Sequence, residues 1–410
     1  MTSHSDAPPD TGAENHGPGR GAFALTTFFA IAPAAALGGG LLLAPLQTAV
    51  ALLGWPLKPS DDLKRAIAWP AAILLAFAAY IAASLIWSVE PRWDSAVKIT
   101  AIFIGGLAFV AAAAGASHKG RALIAASGAA ACIALIALLA VEAAANMPLN
   151  RLAQPDAETG ALARNPGKGV SFLLVLMWGV VAAYGGHKGW RSMLALVCLG
   201  ATAALSPQFS MEANVAALGF GVIVFGVALL APSFALGMTV GGLALWMLAA
   251  PFFAPVLQQF PQLLERLPLS WQQRVEIWRF AEARIMEKPI TGWGLDGARS
   301  FRGQLSQIGD LQFPSLPLHP HSASLHVWLE LGAIGAALAA AAILAVGAAA
   351  AKALHADRHR MAATAAAIAT IGVIWNVSYG AWQEWWMITP FVAAALIVAG
   401  RKDASTHGST

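Results

Sequence analysis

The run His319-Pro320-His321-Ser322-Ala323-Ser324-Leu325, continuing to Glu330-Leu331-Gly332, decides how this chain is read. It closes a long polar loop and leads directly into an apolar segment that extends to residue 351. Such a boundary marks where a chain leaves water and enters a membrane. A histidine there, beneath a loop carrying several arginines, is placed for proton-transfer chemistry on an anionic, membrane-held substrate.

The composition outside this run agrees. The 410 residues are 58% hydrophobic and only 11% charged, with a mean hydropathy of +0.64. Soluble domains carry about 25% charged residues. The chain is therefore an all-α polytopic membrane protein embedded in a lipid bilayer. A span needs roughly 20 apolar residues, fewer where neighbours cover a short helix. Segments at 22–37, 40–56, 66–88, 97–116, 121–145, 169–186, 190–206, 213–231, 234–256, 321–351, 361–380 and 385–400 qualify, which makes about 12 transmembrane helices. Residues 34–40 read as either a tight hairpin or a kink in one long helix, and the kink would leave eleven spans.

Charge placement orients the bundle. With the N-terminus inside, the inner turns hold Lys58, Lys64 and Arg65, then Lys119 and Arg121, then Lys188 and Arg191, then Lys352, Arg358 and Arg360. Arg401 and Lys402 follow the last span. The short outer turns are poorer in basic residues, as the positive-inside rule requires. The net charge of +4 thus reflects topology and not nucleic-acid binding. Cys132 and Cys198 both lie in apolar segments and read as small buried side chains. No metal-ligand spacing and no cofactor-binding glycine pattern occurs.

The chain divides into a disordered inner tail at 1–21, a bundle at 22–256, a large outer loop at 257–320, three helices at 321–400 and an inner tail at 401–410. The loop is too long for a structureless linker. Its stretch 271–286 is helical, with Ile277, Trp278, Ala281 and Ile285 on one apolar face. Arg274 and Arg284 flank that face, and Pro289, Gly292 and Gly294 end the helix. Such a helix lies on the membrane surface or against the bundle mouth. Trp382, Trp385 and Trp386 read as an interfacial aromatic belt or as a platform for sugar rings.

His321-Ser322-Ala323-Ser324-Leu325, with Gly332 beyond it, resembles the motif of the O-antigen ligase and O-antigen polymerase superfamily, and Glu330 stands where that family often has Glu. Upstream, Arg274…Trp278, then Pro289-Ile290-Thr291-Gly292-Trp293-Gly294 and Phe301, is similar to the family's loop signature. The resemblance covers residues 274–335. It implies a GT-C-like, metal-independent membrane glycosyltransferase with one large periplasmic loop containing amphipathic helices. Such an enzyme takes a glycan from undecaprenyl diphosphate and transfers it to an acceptor hydroxyl. The acceptor is lipid A-core in ligases and another lipid-linked glycan in polymerases. The chain departs from the family where Ser210-Met211 replaces a frequent Ser-Arg, and Arg164 and Lys168 are available to supply that charge.

That chemistry needs a group to take the hydroxyl proton and cations to hold the leaving diphosphate. His321 is accordingly the expected base, with His319 second. Arg274 is the expected diphosphate clamp, because a guanidinium fork fits phosphate oxygens. Glu330 lies about 13 Å beyond His321 at 1.5 Å rise per helical residue. It is expected to bind substrate, to orient a neighbouring helix or to pair with a basic group such as Arg164. Two other classes compete: a polysaccharide transporter, and a non-catalytic envelope partner. Intramembrane charges are few, which disfavours the transporter.

Overall fold

The computed structural model describes residues 17–55 and 61–400. The C-terminal tail, Lys58 and most of the N-terminal tail lie outside the described residues.

The first helices are α1 (Gly19–Leu37), α2 (Leu43–Gly54), α3 (Asp61–Ala83), α4 (Trp93–Ala114) and α5 (His118–Ala144). Two short helices, α6 (Pro148–Ala153) and α7 (Thr159–Leu162), lead to α8 (Arg164–Tyr184). Then come α9 (Trp190–Leu205), α10 (Glu212–Leu230) and α11 (Pro232–Ala249). The large loop contains α12 (Phe253–Gln258), α13 (Pro261–Glu265), α14 (Leu269–Glu287) and a hairpin of β1 (Leu305–Ile308) and β2 (Leu311–Pro314). The chain closes with α15 (Ala323–Leu354), α16 (Arg358–Val377), α17 (Glu384–Met387) and α18 (Thr389–Ala399). Among the described residues nine helices are long and apolar enough to cross a membrane, and Leu43–Gly54, Trp190–Leu205 and Glu384–Ala399 are shorter apolar helices. Every expected span has its helix, and the chain is an all-α polytopic membrane protein whose described residues add one small hairpin.

The segment at 34–40 is a hairpin. Gly39 and Gly40 carry φ of +91° and +86°, and a Cβ on Gly39 would sit 2.5 Å from Asn165 Oδ1. Only glycine meets both demands without strain. The sixth span starts earlier than expected, so Arg164 and Lys168 lie in the first turns of α8 and not in a loop. Glu142 fixes the approach to it. Its carboxylate, fully buried in α5, accepts the Leu149 N–H at 2.7 Å and the Asn150 side-chain amide at 2.8 Å.

Helix α8 is the axis of the bundle, apolar on nearly all faces and covered by α1, α5, α9, α16 and α18. Its interior polar groups are paired. Ser171 Oγ bonds Asn214 at 2.8 Å and Tyr379 Oη at 2.9 Å, and Trp178 Nε1–H donates to Thr370 Oγ1 at 2.8 Å. In a membrane an unpaired group of this kind has no water to turn to. Helix α14 docks its apolar face on α15 at the bundle mouth, burying Val275, Ile277, Trp278, Ala281 and Ile285. The β1–β2 hairpin, paired Leu305↔Pro314 through Ile308↔Leu311, was not expected from the sequence.

Candidate active site

The loop signature and the His motif are halves of one construction. Helix α15 breaks at Gly332, whose φ of +62° and ψ of −163° lie far from helical values. The segment 289–294 crosses the break. Trp293 N–H and Gly294 N–H donate to the freed carbonyls of Leu329 and Glu330 at 2.9 and 2.7 Å. Ala333 N–H and Ile334 N–H donate in turn to Pro289 and Ile290 carbonyls at 2.8 and 3.3 Å. Each such group left bare in a buried site would cost about 1–3 kcal/mol. The glycines allow the close approach: a Cβ on Gly332 would lie 2.3 Å from Ile290 O, and one on Gly292 2.4 Å from the Glu330 carbonyl carbon. The crossing pins the loop to the bundle nine residues beyond the start of α15.

His321 precedes that beginning. Ser322 caps α15 by accepting the Leu325 N–H at 3.4 Å. Ser324 ties the same turn to α16, its Oγ donating to Asn376 Oδ1 at 2.7 Å. Trp278 Nε1–H holds the Pro320 carbonyl at 2.9 Å, which anchors the bend to α14. His321 itself adopts a left-handed φ of +55°, a conformation that surrounding contacts must impose on a non-glycine residue. Its Nδ1 lies 2.9 Å from the Ser378 carbonyl oxygen. A carbonyl only accepts, so Nδ1 carries the proton and the neutral ring keeps its lone pair on Nε2. Nε2 has no hydrogen-bond partner among the described residues. Burial pushes the His321 pKa below the usual histidine value and nearby Arg274 pushes the same way, while the Ser378 carbonyl opposes them.

His319 supports this arrangement. Its Nδ1 accepts the His321 backbone N–H at 3.1 Å, and its Nε2 lies 2.8 Å from the Gln383 side-chain amide. Burial, with His321 and His326 adding to it, pushes its pKa down to about 2, so it stays neutral. With Nδ1 accepting, the proton sits on Nε2, and the Gln383 amide is read with its oxygen toward the ring. Both His319 nitrogens are then occupied by protein.

Arg274 lies half-buried beside Trp271, its guanidinium 5.0 Å from the indole centroid. Trp271 Nε1–H is held by Glu212 Oε2 at 2.7 Å. No carboxylate is within ion-pairing distance of Arg274 among the described residues, whereas Arg279, Arg284 and Arg299 pair with Glu276, Glu287 and Asp296. Burial lowers the Arg274 pKa, with Glu212 opposing. A cation held by an aromatic face and left without a counter-ion is suited to an anionic ligand.

Two expectations meet different surroundings. Among the described residues Glu330 pairs with no arginine. Only 1% exposed, it accepts the Ala298 N–H at 3.1 Å on Oε1 and the Trp382 Nε1–H at 2.6 Å on Oε2, with His326 Nε2 3.2 Å away. Trp385 and Trp386 are 5% and 0% exposed and pack on Tyr379, so neither forms a belt or an open platform. Arg164 is exposed and Lys168 half-buried, its ammonium 6.0 Å from the Trp385 centroid. The side chain of Met211 reaches the same turn of α8, for a Cβ on Gly167 would lie 2.4 Å from its sulfur. Sequence reasoning missed Ser378, Gln383, His326 and Trp271. The first two lie far along the chain from His321 and carry no motif. Among the described residues no cluster of three or more His, Cys, Asp or Glu is arranged to hold a metal.

The fold and this site define a polytopic helical membrane protein whose large loop is locked onto a broken helix beside an oriented histidine. Residues 167–340 match the O-antigen ligase family model, and they contain that loop, the helix break and His321. A Rickettsia conorii protein named "putative polysaccharide ligase" is 30% identical over 184 residues, 42% of this chain and 43% of that protein. Same-named proteins of Rickettsia prowazekii and Rickettsia bellii are 30% and 31% identical, over 33% and 29% of their lengths. The matched stretches span less than half of each relative. These matches support the O-antigen ligase superfamily.

Proposed function

We propose that this protein transfers a glycan from undecaprenyl diphosphate to an acceptor hydroxyl of lipid A-core, at the periplasmic face of a bacterial inner membrane. The observation that carries the reading is the His321 Nδ1–H bond to Ser378, which leaves Nε2 open next to an unpaired Arg274. The acceptor O–H gives its proton to Nε2 as its oxygen bonds to the anomeric carbon. The bond from that carbon to the diphosphate oxygen breaks, and the diphosphate leaves with the electron pair. Arg274 holds the charge growing on it, and Lys168 and Arg164 supply positive charge beside Met211. No step draws on a metal or a cofactor.

A transporter would use a broken helix to present free backbone groups to an ion or substrate. Here the groups freed at Gly332 are taken by residues 289–294, which favours a structural lock over a transport site. A deletion strain complemented with wild type or His321→Ala tests the proposal. Full-length lipid-linked chains that fail to reach lipid A-core support the ligase. Single repeat units that never lengthen favour a polymerase instead, and a wild-type pattern from His321→Ala removes the catalytic role of the motif.

A further inference from the structure

The carbonyl that orients His321 belongs to the turn 378–383, between α16 and α17, which forms no helix or strand of its own. A carbonyl in such a turn holds a fixed position only if something else fixes it. Ser378 is tied to α16 by its N–H bond to the Ile374 carbonyl at 3.0 Å, and the far end of the turn is held by two buried titratable groups that the transfer step leaves unused. His326 Nδ1 accepts the Ala381 N–H at 3.0 Å. That bond puts the imidazole proton on Nε2, which faces Glu330 Oε1 at 3.2 Å. Glu330 Oε2 accepts the indole N–H of the next turn residue, Trp382, at 2.6 Å.

His326 and Glu330 stand one helical turn apart on α15, so a single face of that helix grips two consecutive residues of the turn. The same Glu330 carboxylate also accepts the Ala298 N–H of the large loop. It therefore ties together the loop, the broken helix and the turn. The two side chains are 5% and 1% exposed, so neither touches a substrate. Burying a carboxylate costs several kcal/mol before its partners offset it. An apolar side chain of similar size would fill the space at less cost but could not accept N–H bonds from two other elements.

We propose that His326 and Glu330 are positioning residues for His321. They act through the 378–383 turn to fix the Ser378 carbonyl and, with it, the tautomer and direction of the catalytic ring. The inference rests on the assignment of His321 as the base. Misplacing a catalytic group by about 1 Å can cost on the order of 10²-fold in rate. Loss of the grip should therefore appear in turnover and not in substrate affinity.

The test uses the purified full-length protein, with undecaprenyl diphosphate-linked glycan and lipid A-core extracted from the deletion strain. His326→Leu should lower kcat about 10- to 100-fold while KM stays within about twofold. His326→Asn should recover most of that loss, because its side-chain oxygen can stand where Nδ1 accepts the Ala381 N–H. On a His321→Ala background, His326→Leu should add nothing, since residues acting as a unit are not additive. A loss confined to KM, an Asn variant no better than Leu, or an additive loss in the double variant overturns the proposal. If His326→Leu does not fold, Trp382→Phe removes one donor to Glu330 and keeps an aromatic ring. It should show the same kcat-only loss, and a wild-type kcat overturns the proposal. His321→Ala measured alone separates the two readings: wild-type turnover sinks the base assignment and this inference together, whereas a dead His321→Ala with an unaffected His326→Leu sinks only the second.

Discussion

His321 Nδ1 and the Ser378 carbonyl oxygen, 2.9 Å apart, join the start of α15 to the turn that follows α16. This bond decides which nitrogen of the ring is open. General-base catalysis contributes about 10²- to 10⁴-fold. His321→Ala should therefore lower transfer by that factor, with the protein still reaching the membrane at normal levels. Thin-layer separation of lipid-linked and transferred glycan measures it.

The pH dependence has a definite sign. As the proposed base, His321 would act only when neutral, and its pKa lies below the ordinary histidine value, chiefly through burial. Activity should hold through pH 6.5 and fall only as the pH drops through the lower folded pKa. A kcat/KM profile still rising above pH 7 would place the ring in ordinary solvent and contradict the buried geometry.

His319 makes a stability prediction of the same sign. Unfolded, it takes up a proton near the usual value of about 6.5, while folded it does so only at about 2. Between those values the unfolded chain binds more protons. The stability tied to neutral His319 is complete above about pH 6.5 and is lost as the pH falls, by at most about 1.4 kcal/mol per pH unit. Thermal unfolding in detergent at pH 7.5 and pH 5 should show a smaller acid shift for His319→Gln than for wild type.

Arg274 should tolerate no other cation. Lysine keeps the charge but lacks the planar fork and the flat face that stacks on Trp271. With charge-assisted hydrogen bonds worth about 1.5–3 kcal/mol, Arg274→Lys should reduce kcat/KM for the lipid-linked donor about 10- to 100-fold. A variant with wild-type donor kinetics would show that the diphosphate lies elsewhere.

The helices were legible because hydropathy alone sets where a membrane chain can cross, and the His and loop motifs pointed to the two segments that meet at the Gly332 break. The apolar face of α14 was equally readable from Ile277, Trp278, Ala281 and Ile285. The partnership of Glu330 was not. A lone acidic residue in an apolar run looks like a substrate or ion-pair group, and nothing local shows that Ala298 and Trp382, on other elements, already occupy its oxygens. The same holds for Ser378, which contributes a backbone carbonyl and leaves no trace in residue type. Gly332 was visible as a motif letter, but its role depends on a segment that arrives from the distant loop.

That role gives the last prediction. Gly332 combines a φ of +62° with a Cβ position 2.3 Å from Ile290 O, so alanine there meets both backbone strain and a backbone clash. Neither can be relieved without lifting residues 289–294 from the break. That would expose the carbonyls of Leu329 and Glu330 and the N–H groups of Ala333 and Ile334. The conformation at Gly332, positive in φ and extended in ψ, is essentially open only to glycine and costs an alanine about 1–3 kcal/mol, and each bare backbone group adds about 1–3 kcal/mol. Gly332→Ala should therefore lower the melting temperature in detergent and abolish transfer together. Gly237→Ala is the matched control: it lies in α11 with nothing within 4 Å of a built Cβ and should leave both unchanged. Equal behaviour of the two variants would mean that the lock at Gly332 does not hold the loop in place.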